Sequence, residues 1–226
     1  HLRAAVLGRW CDGGADGSGT GVELGGGVGM PLGLGTALWA VIIPSPTTNL
    51  IQNSSGEFGT QTWGTWIGGT VGTTSQYQQF GGWAGSVAPT NNGTAGVLLG
   101  SISLNSGSIY GLSCYVRGAN GIPYNLSVTD HSGDNFQGSI TFTGGGTWQY
   151  VQFSYLEQFG GPRKISLRKH NSADVSAFYF DGVQFEAGSV TTYTDGEQPG
   201  GTWTGAPHAS TSARSGSTDE GRRRTS

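Results

Sequence analysis

Charge is scarce in this chain. Only 11% of its 226 residues are Asp, Glu, Lys or Arg, less than half of the roughly 25% usual in globular domains. The formal net charge is −3, so no basic field draws the protein to nucleic acid. The one basic run, Arg222-Arg223-Arg224, follows Asp219-Glu220 in a Ser/Thr/Gly-rich tail and reads as a solvated end. Cysteine is nearly missing too. Cys11 and Cys114 are the whole supply and lie in segments of different character; a disulfide between them is not expected, and the redox compartment stays open. Nowhere does a long stretch keep the i, i+3, i+4 apolar spacing of a helix. The most apolar stretch, Met30 to Ile43, falls short of the ~20 residues that cross a bilayer. It also contains Pro31, Gly33 and Gly35, so no membrane insertion is expected. No charged n-region with an apolar h-region opens the chain. Its first residue is His, as in a processed chain or a part of a longer one.

Catalytic signatures are missing as well. No G-x-S-x-G, H-E-x-x-H or phosphate-loop pattern occurs. The Gly-rich stretch at 25–35 lacks a Lys-Ser/Thr ending, and most of the few acids sit in expected turns, which singles out no glycosidase pair. Asp130-His131-Ser132-Gly133-Asp134 has no companion ligands for zinc and reads as a hairpin turn. His1 with a free amine is a copper-chelating arrangement, but nothing around His131, His170 or His208 supplies the second histidine of such a brace. The chain is not expected to be an enzyme.

What the chain has in quantity is glycine, 43 residues of it, and aromatics at 11%. Short Val/Ile/Thr/Tyr/Phe-rich runs separated by Asn-Gly, Ser-Gly and Gly-Gly turns favour an all-β protein over a disordered one. Strands are expected at Asn49–Asn53, Ala95–Leu104, Ser108–Arg117, Tyr124–Asp130, Gly138–Thr143, Trp148–Tyr155 and Lys164–Arg168. The last and most aromatic is Ser176 to Glu186. Strict alternation cannot place Phe178, Phe180, Val183 and Phe185 on one face, so Asp181-Gly182 is expected to form a bulge. A strand this aromatic needs a facing sheet, which points to a β-sandwich or barrel.

Three regions follow. Residues 1–48 form a Gly-rich N-terminal arm with one docking strand at Thr36–Ile43; residues 49–188 form the sandwich; residues 189–226 form an extended connector and tail. Extended arms gain their stability from a neighbour. Trp39, Trp203 and His208 are accordingly the candidate assembly contacts, and copies of the chain or companion proteins are the expected partners.

Several of these stretches carry a resemblance. Asn49-Leu50-Ile51-x-Asn53 with Glu57 and Trp63 looks like the opening of the jelly-roll modules related to carbohydrate-binding families 4, 9 and 22. Tyr110-x-Leu112-Ser113-x-Tyr115-Val116-Arg117 is similar to their central strand. Gly146-Thr147-Trp148 resembles a strand entry of theirs, and Phe178 to Glu186 resembles their closing strand. The resemblance spans 49–188 and implies an all-β jelly-roll β-sandwich with extended N- and C-terminal arms. In the resembled modules acids at these places help hold a structural Ca²⁺, which makes Glu57 and Asp181 the candidate calcium pair; plain surface carboxylates are the alternative. Tyr193 to Ser212 resembles a connector of minor tail proteins of tailed phages, Y-x-D-G-x-Q-P-G-x-x-W-x-G-x-P-H-x-S. That resemblance implies a virion location, in a tail or surface appendage; a secreted module is the alternative.

For ligand binding the leading cluster is Trp63, Trp66, Tyr77, Phe80 and Trp83, with Gln76, Gln78 and Gln79 among them. Flat rings stack on sugar C–H faces while neutral amides bond hydroxyls. The competing reading puts these rings in the core. For any single Trp the core is the favoured place; if any is exposed, Trp66 and Trp83, set among glycines in expected loops, are the choices. Two functions stand: a structural virion protein that touches host glycans through its jelly roll, or a carbohydrate-binding module of a secreted polysaccharide-degrading enzyme.

Overall fold

Phe178, Phe180, Val183 and Phe185 do share one face, and all four are fully buried. Their strand pairs Asp181 with Tyr115 but Gln184 with Ser113, so two residues, Gly182 and Val183, oppose the single Cys114 and the extra residue restores the inward set. Gly182 takes a left-handed φ of +55° at this point, a conformation that costs glycine little. The expected bulge is therefore present, and it turns the Asp181 side chain to the outer face.

The computed structural model describes residues 46–57, 59–90, 95–132, 135–170 and 172–215. Trp39, Cys11, the docking strand expected at Thr36–Ile43 and the Arg222–Arg224 run lie outside the described residues. Among the described residues there are thirteen strands and no helix. They are β1 (Thr47–Asn49), β2 (Gly64–Trp66), β3 (Gly69–Thr74), β4 (Ala84–Pro89), β5 (Gly96–Leu104), β6 (Ile109–Arg117), β7 (Pro123–Thr129), β8 (Phe136–Thr143), β9 (Trp148–Leu156), β10 (Gly161–Lys169), β11 (Phe178–Ala187), β12 (Gly201–Trp203) and β13 (Ser212–Arg214).

Two five-stranded antiparallel sheets, ordered β2-β5-β10-β7-β8 and β3-β4-β11-β6-β9, form the sandwich. Between them lie Val97 and Leu99 of β5, Leu112, Cys114 and Val116 of β6, Leu126 and Val128 of β7, Ile165 and Leu167 of β10, and the four β11 residues. Alternation along each strand sends every second residue to this layer. Cys114 is a free thiol here, and burial pushes its pKa upward. The jelly-roll sandwich expected from the sequence is the fold.

The strand expected at Asn49–Asn53 is shorter and starts earlier, at Thr47. Asn49 explains the early end. Its buried side chain accepts from the Phe185 and Ile51 amides, both at 3.1 Å, and donates to the Val183 carbonyl at 2.9 Å. One amide side chain thus fastens the entry of the domain to β11. The connector also departs from expectation. Its described part, residues 189–215, is not an extended arm; β12 and β13 form a hairpin that pairs with β1 in a small third sheet, ordered β1-β13-β12, and the tail from 216 on lies outside the described residues. Asp195 closes the turn before β12, accepting from the Glu197 and Gln198 amides at 2.8 and 3.0 Å.

Candidate functional site

The outer face of the β3-β4-β11-β6-β9 sheet carries the site, and its register shows how. Reading across β9, β6 and β11, Trp148, Arg117 and Tyr179 form one row. Tyr150, Tyr115 and Asp181 form the next, then Gln152, Ser113 and Gln184, then Ser154, Gly111 and Glu186. Each row lies two residues from the last, so all these side chains leave the sheet on the side away from the core.

The Tyr150 and Tyr115 rings lie 4.9 Å apart by centroid, and Phe80 meets Tyr115 edge-on at 5.2 Å. Phe80 packs in turn on Tyr193, at 4.4 Å. These four aromatics, with Gln152 and Val190 to Thr192, line a cleft of about 420 Å³, within the usual size range of ligand pockets. Tyr150 stays 41% exposed at the mouth. Burial pushes the phenols of Tyr150 and Tyr193 upward, so both are neutral at physiological pH. The lining offers ring faces, hydroxyls and one carboxamide, and no carboxylate or cation.

Two carboxylates hold the wall that Phe80 belongs to. Asp181 is fully buried beneath the 76–83 loop, and its Oδ2 accepts from the Gln79 and Phe80 amides at 2.7 and 2.9 Å. Its Oδ1 accepts from Gly182 at 2.7 Å. Glu57 Oε1 accepts from the Gly82 and Trp83 amides at 2.6 and 2.8 Å. Burial pushes the Asp181 carboxyl up to about 7; the three amides pull it down, and Glu57 adds to the rise. The two acids of the candidate calcium pair therefore do converge on one loop. The donors they face are amide hydrogens, however, whereas a hard cation takes six to eight oxygens. No group of three or more His, Cys, Asp or Glu gathers among the described residues. The residues present fit a loop clamp better than a cation site.

The expected aromatic cluster is dispersed. Trp63 is half-buried and packs on the core ring of Phe180 at 4.9 Å. Trp66, one of the two choices for an exposed ring, lies in β2 rather than in a loop and is only 6% exposed, in keeping with the favoured core reading. The reason is Arg168, whose guanidinium covers it 5.3 Å from the ring centroid while stacking on Phe136 at 4.3 Å. Tyr77 lies on Tyr179 at 4.6 Å with Arg117 stacked on it at 4.3 Å. Trp83, the other choice, is exposed, at 44%, but does not line the cleft. Only Phe80 of that cluster reaches it. Tyr115, Tyr150, Gln152 and Tyr193 were missed. The alternation Trp148-x-Tyr150-x-Gln152 on one strand was the available signal, because it puts two rings and an amide on one face.

Trp203 and His208, expected as assembly contacts, face each other at 4.8 Å within the chain, and His208 Nε2 reaches Glu197 Oε1 at 3.0 Å. Of the expected Asp130–Asp134 turn, His131 and Ser132 are in a turn and Asp130 accepts from Ser132 Oγ at 2.6 Å, while Gly133 and Asp134 lie outside the described residues. Among the described residues no helix is long and apolar enough to cross a membrane.

No protein-family model matches the chain, and no curated protein sequence does. Solved structures do. The tandem family 22 carbohydrate-binding modules of Xyn10C from Paenibacillus barcinonensis match at a TM-score of 0.50 and 19% identity, over 74% of this chain and 57% of that one. The sandwich is a carbohydrate-binding-module-like jelly roll. An apo cyclase from Fischerella sp. matches at a TM-score of 0.51 and 16% identity, over 64% of this chain and 97% of that one. An arabinose-bound α-L-arabinofuranosidase matches at 0.52 and 11%, over 62% of this chain and 26% of that one. The jelly roll thus spans about half of the first of these proteins and a quarter of the last.

Proposed function

We propose that this protein binds neutral glycan in the cleft over β6 and β9, without cleaving it, as part of a virion tail or surface appendage. The cleft lining carries the proposal: Tyr115 and Tyr150 supply ring faces, Gln152 supplies a carboxamide, and no charge is present to favour an acidic ligand. Rings stack on the C–H faces of sugars, and a neutral amide bonds hydroxyls without a large desolvation cost. The absence of a carboxylate from the lining supports binding over glycoside hydrolysis, which uses a pair of them. The resemblance of Tyr193–Ser212 to a phage tail connector supports the virion setting.

The test is retention of the full chain on an array of immobilised neutral glycans. Tyr150→Ala and Gln152→Ala should each weaken retention about tenfold or more, with stability changed by no more than about 0.5 kcal/mol. Trp83→Ala, outside the cleft, should leave retention intact. Loss through Trp83 but not Tyr150, or no retention at all, would overturn the assignment.

A second reading, a glycan-binding module of a secreted enzyme, is favoured by one observation. The connector folds back onto its own sandwich, as a self-sufficient module would need. Mass measurement in solution separates the two: a defined oligomer supports the virion component, and a monomer at micromolar concentration supports the module.

A further inference from the structure

On the glycan-binding reading just given, we infer that the segment Gly188–Asp195 closes the cleft half-way across its sheet and makes it a socket for the end of a neutral glycan chain. After β11 the backbone reverses and runs along the outer face of that same strand. Gln184, outward-facing at the centre of the sheet, is fully buried beneath it. Its Nε2 donates to Thr191 Oγ1 at 3.0 Å and its Oε1 accepts from the Thr194 amide at 2.6 Å. Glu186, one row further, accepts from the Thr191 amide at 2.6 Å and from Thr191 Oγ1 at 2.8 Å. Gly111 of β6 leaves room for this arrangement: a Cβ there would lie 2.7 Å from the Val190 nitrogen and 2.8 Å from its Cγ2.

Without this segment, the row Gln152–Ser113–Gln184 would be an open polar track crossing β9, β6 and β11. With it, Thr191 to Tyr193 stand where the track would continue, and Tyr193 joins Phe80 to complete the barrier. The open floor is left two strands wide, roughly 10 Å. A chain lying across the strands enters from the β9 edge and ends against the connector. The connector's own sequence therefore sets which part of a polysaccharide is held.

Competition distinguishes ends from interiors in the unmodified protein. The competitors are soluble β-1,4-linked glucan, galactan and xylan, each intact and partially hydrolysed. For whichever polymer competes, a tenfold rise in chain ends at constant mass should lower the half-inhibitory mass concentration about tenfold. Competition that follows mass and ignores ends would overturn the inference while leaving glycan binding intact. Failure of every polymer and of every immobilised glycan would overturn both. Gly111→Val, whose branched side chain displaces Val190, should open the track, so that intact polymer competes about tenfold better than with the parent protein. Thr191→Ala, which loses its hydroxyl bonds to Gln184 and Glu186, serves the same purpose if the valine variant does not fold. A folded variant with unchanged preference for ends would also count against the socket.

Discussion

The central strands of the two sheets both bury charge, and they settle it in opposite ways. On β10, cations meet anions. Arg163 grips Glu157 through Nε and Nη2 at 2.8 and 2.6 Å, and Lys169 pairs with Asp174 while also donating to the Asp174 and Ser176 carbonyls. On β11, Asp181 and Glu186 meet backbone amides, hydroxyls and the Gln184 carboxamide. The partners on β10 fasten its end and the hairpin beside it. Those on β11 belong to the 76–83 loop and the connector, which are the two walls of the cleft. The contrast teaches where adjustability lies: opposite charges lock one sheet, while neutral donors hang the binding face from the other.

Breaking the β10 arrangement should have the largest effect. Arg163→Ala leaves Glu157 buried against the Phe159 and Gly160 amides with no cation. Stranding a buried charge in this way costs about 3–5 kcal/mol, readable as a lower denaturant midpoint with an unchanged slope. Under conditions where the variant is folded, glycan retention should be unaltered. A loss under about 1 kcal/mol would erase the distinction between the two strands.

The two strands should also answer pH with opposite signs. Burial raises the Glu157 carboxyl, but the Arg163 guanidinium and two amides outweigh it and hold it below the usual range. Its contribution is present above pH ~4 and is lost as pH falls through its depressed pKa. Asp181, pushed up to about 7, contributes stability that is complete below its unfolded value of about 4 and is lost as pH rises through 7. Unfolding free energy should therefore peak near pH 4, where the two contributions overlap, and fall by on the order of 3 kcal/mol by pH 8. Asp181→Asn should flatten the alkaline limb and spare the acid one. A flat profile from pH 5 to 8 in the parent protein would mean that the amides stabilise the charged form more than burial opposes it.

Much of the sandwich was legible because strand periodicity is a local property. The run Phe178 to Phe185 announced both its inward face and its bulge, since four large apolar residues with one break in parity admit few other arrangements. β6 to β11 were each found to within three residues, β10 least well because it starts at Gly161 rather than Lys164. β2, β3 and β4 were not, because Gly64–Trp66, Gly69–Thr74 and Ala84–Pro89 are short and rich in small residues, with one or two larger apolar side chains each. The binding face was less legible still. Whether a ring is free depends on what lies over it, and Arg168 above Trp66 is 102 positions away in sequence. Tyr115 and Tyr150 become a surface only through the β6–β9 register. The connector's return over β11 depends on Gln184 and Glu186, which look like ordinary wetted positions of an alternating strand.

The smallest expected effect is a null one, and it bears directly on the β11 side of the comparison. If the Glu57 and Asp181 carboxylates are satisfied by five amide hydrogens, they need no ion, and excess EGTA should leave the thermal midpoint of the chain unchanged. An ion at this point would have to turn those amides away and recruit carbonyl oxygens in their place, since two carboxylates fall short of the six to eight oxygens a Ca²⁺ takes. In that case it would be bound by the folded state alone, and removing it would lower stability by mass action. For a chain of this size, a fall of more than about 2–4 °C on chelation corresponds to roughly 1 kcal/mol. Such a fall, reversed by added Ca²⁺, would place a cation beside the β11 acids after all. Both central strands would then follow one rule, opposite charge against buried charge, and the alkaline limb assigned to Asp181 should vanish in saturating Ca²⁺.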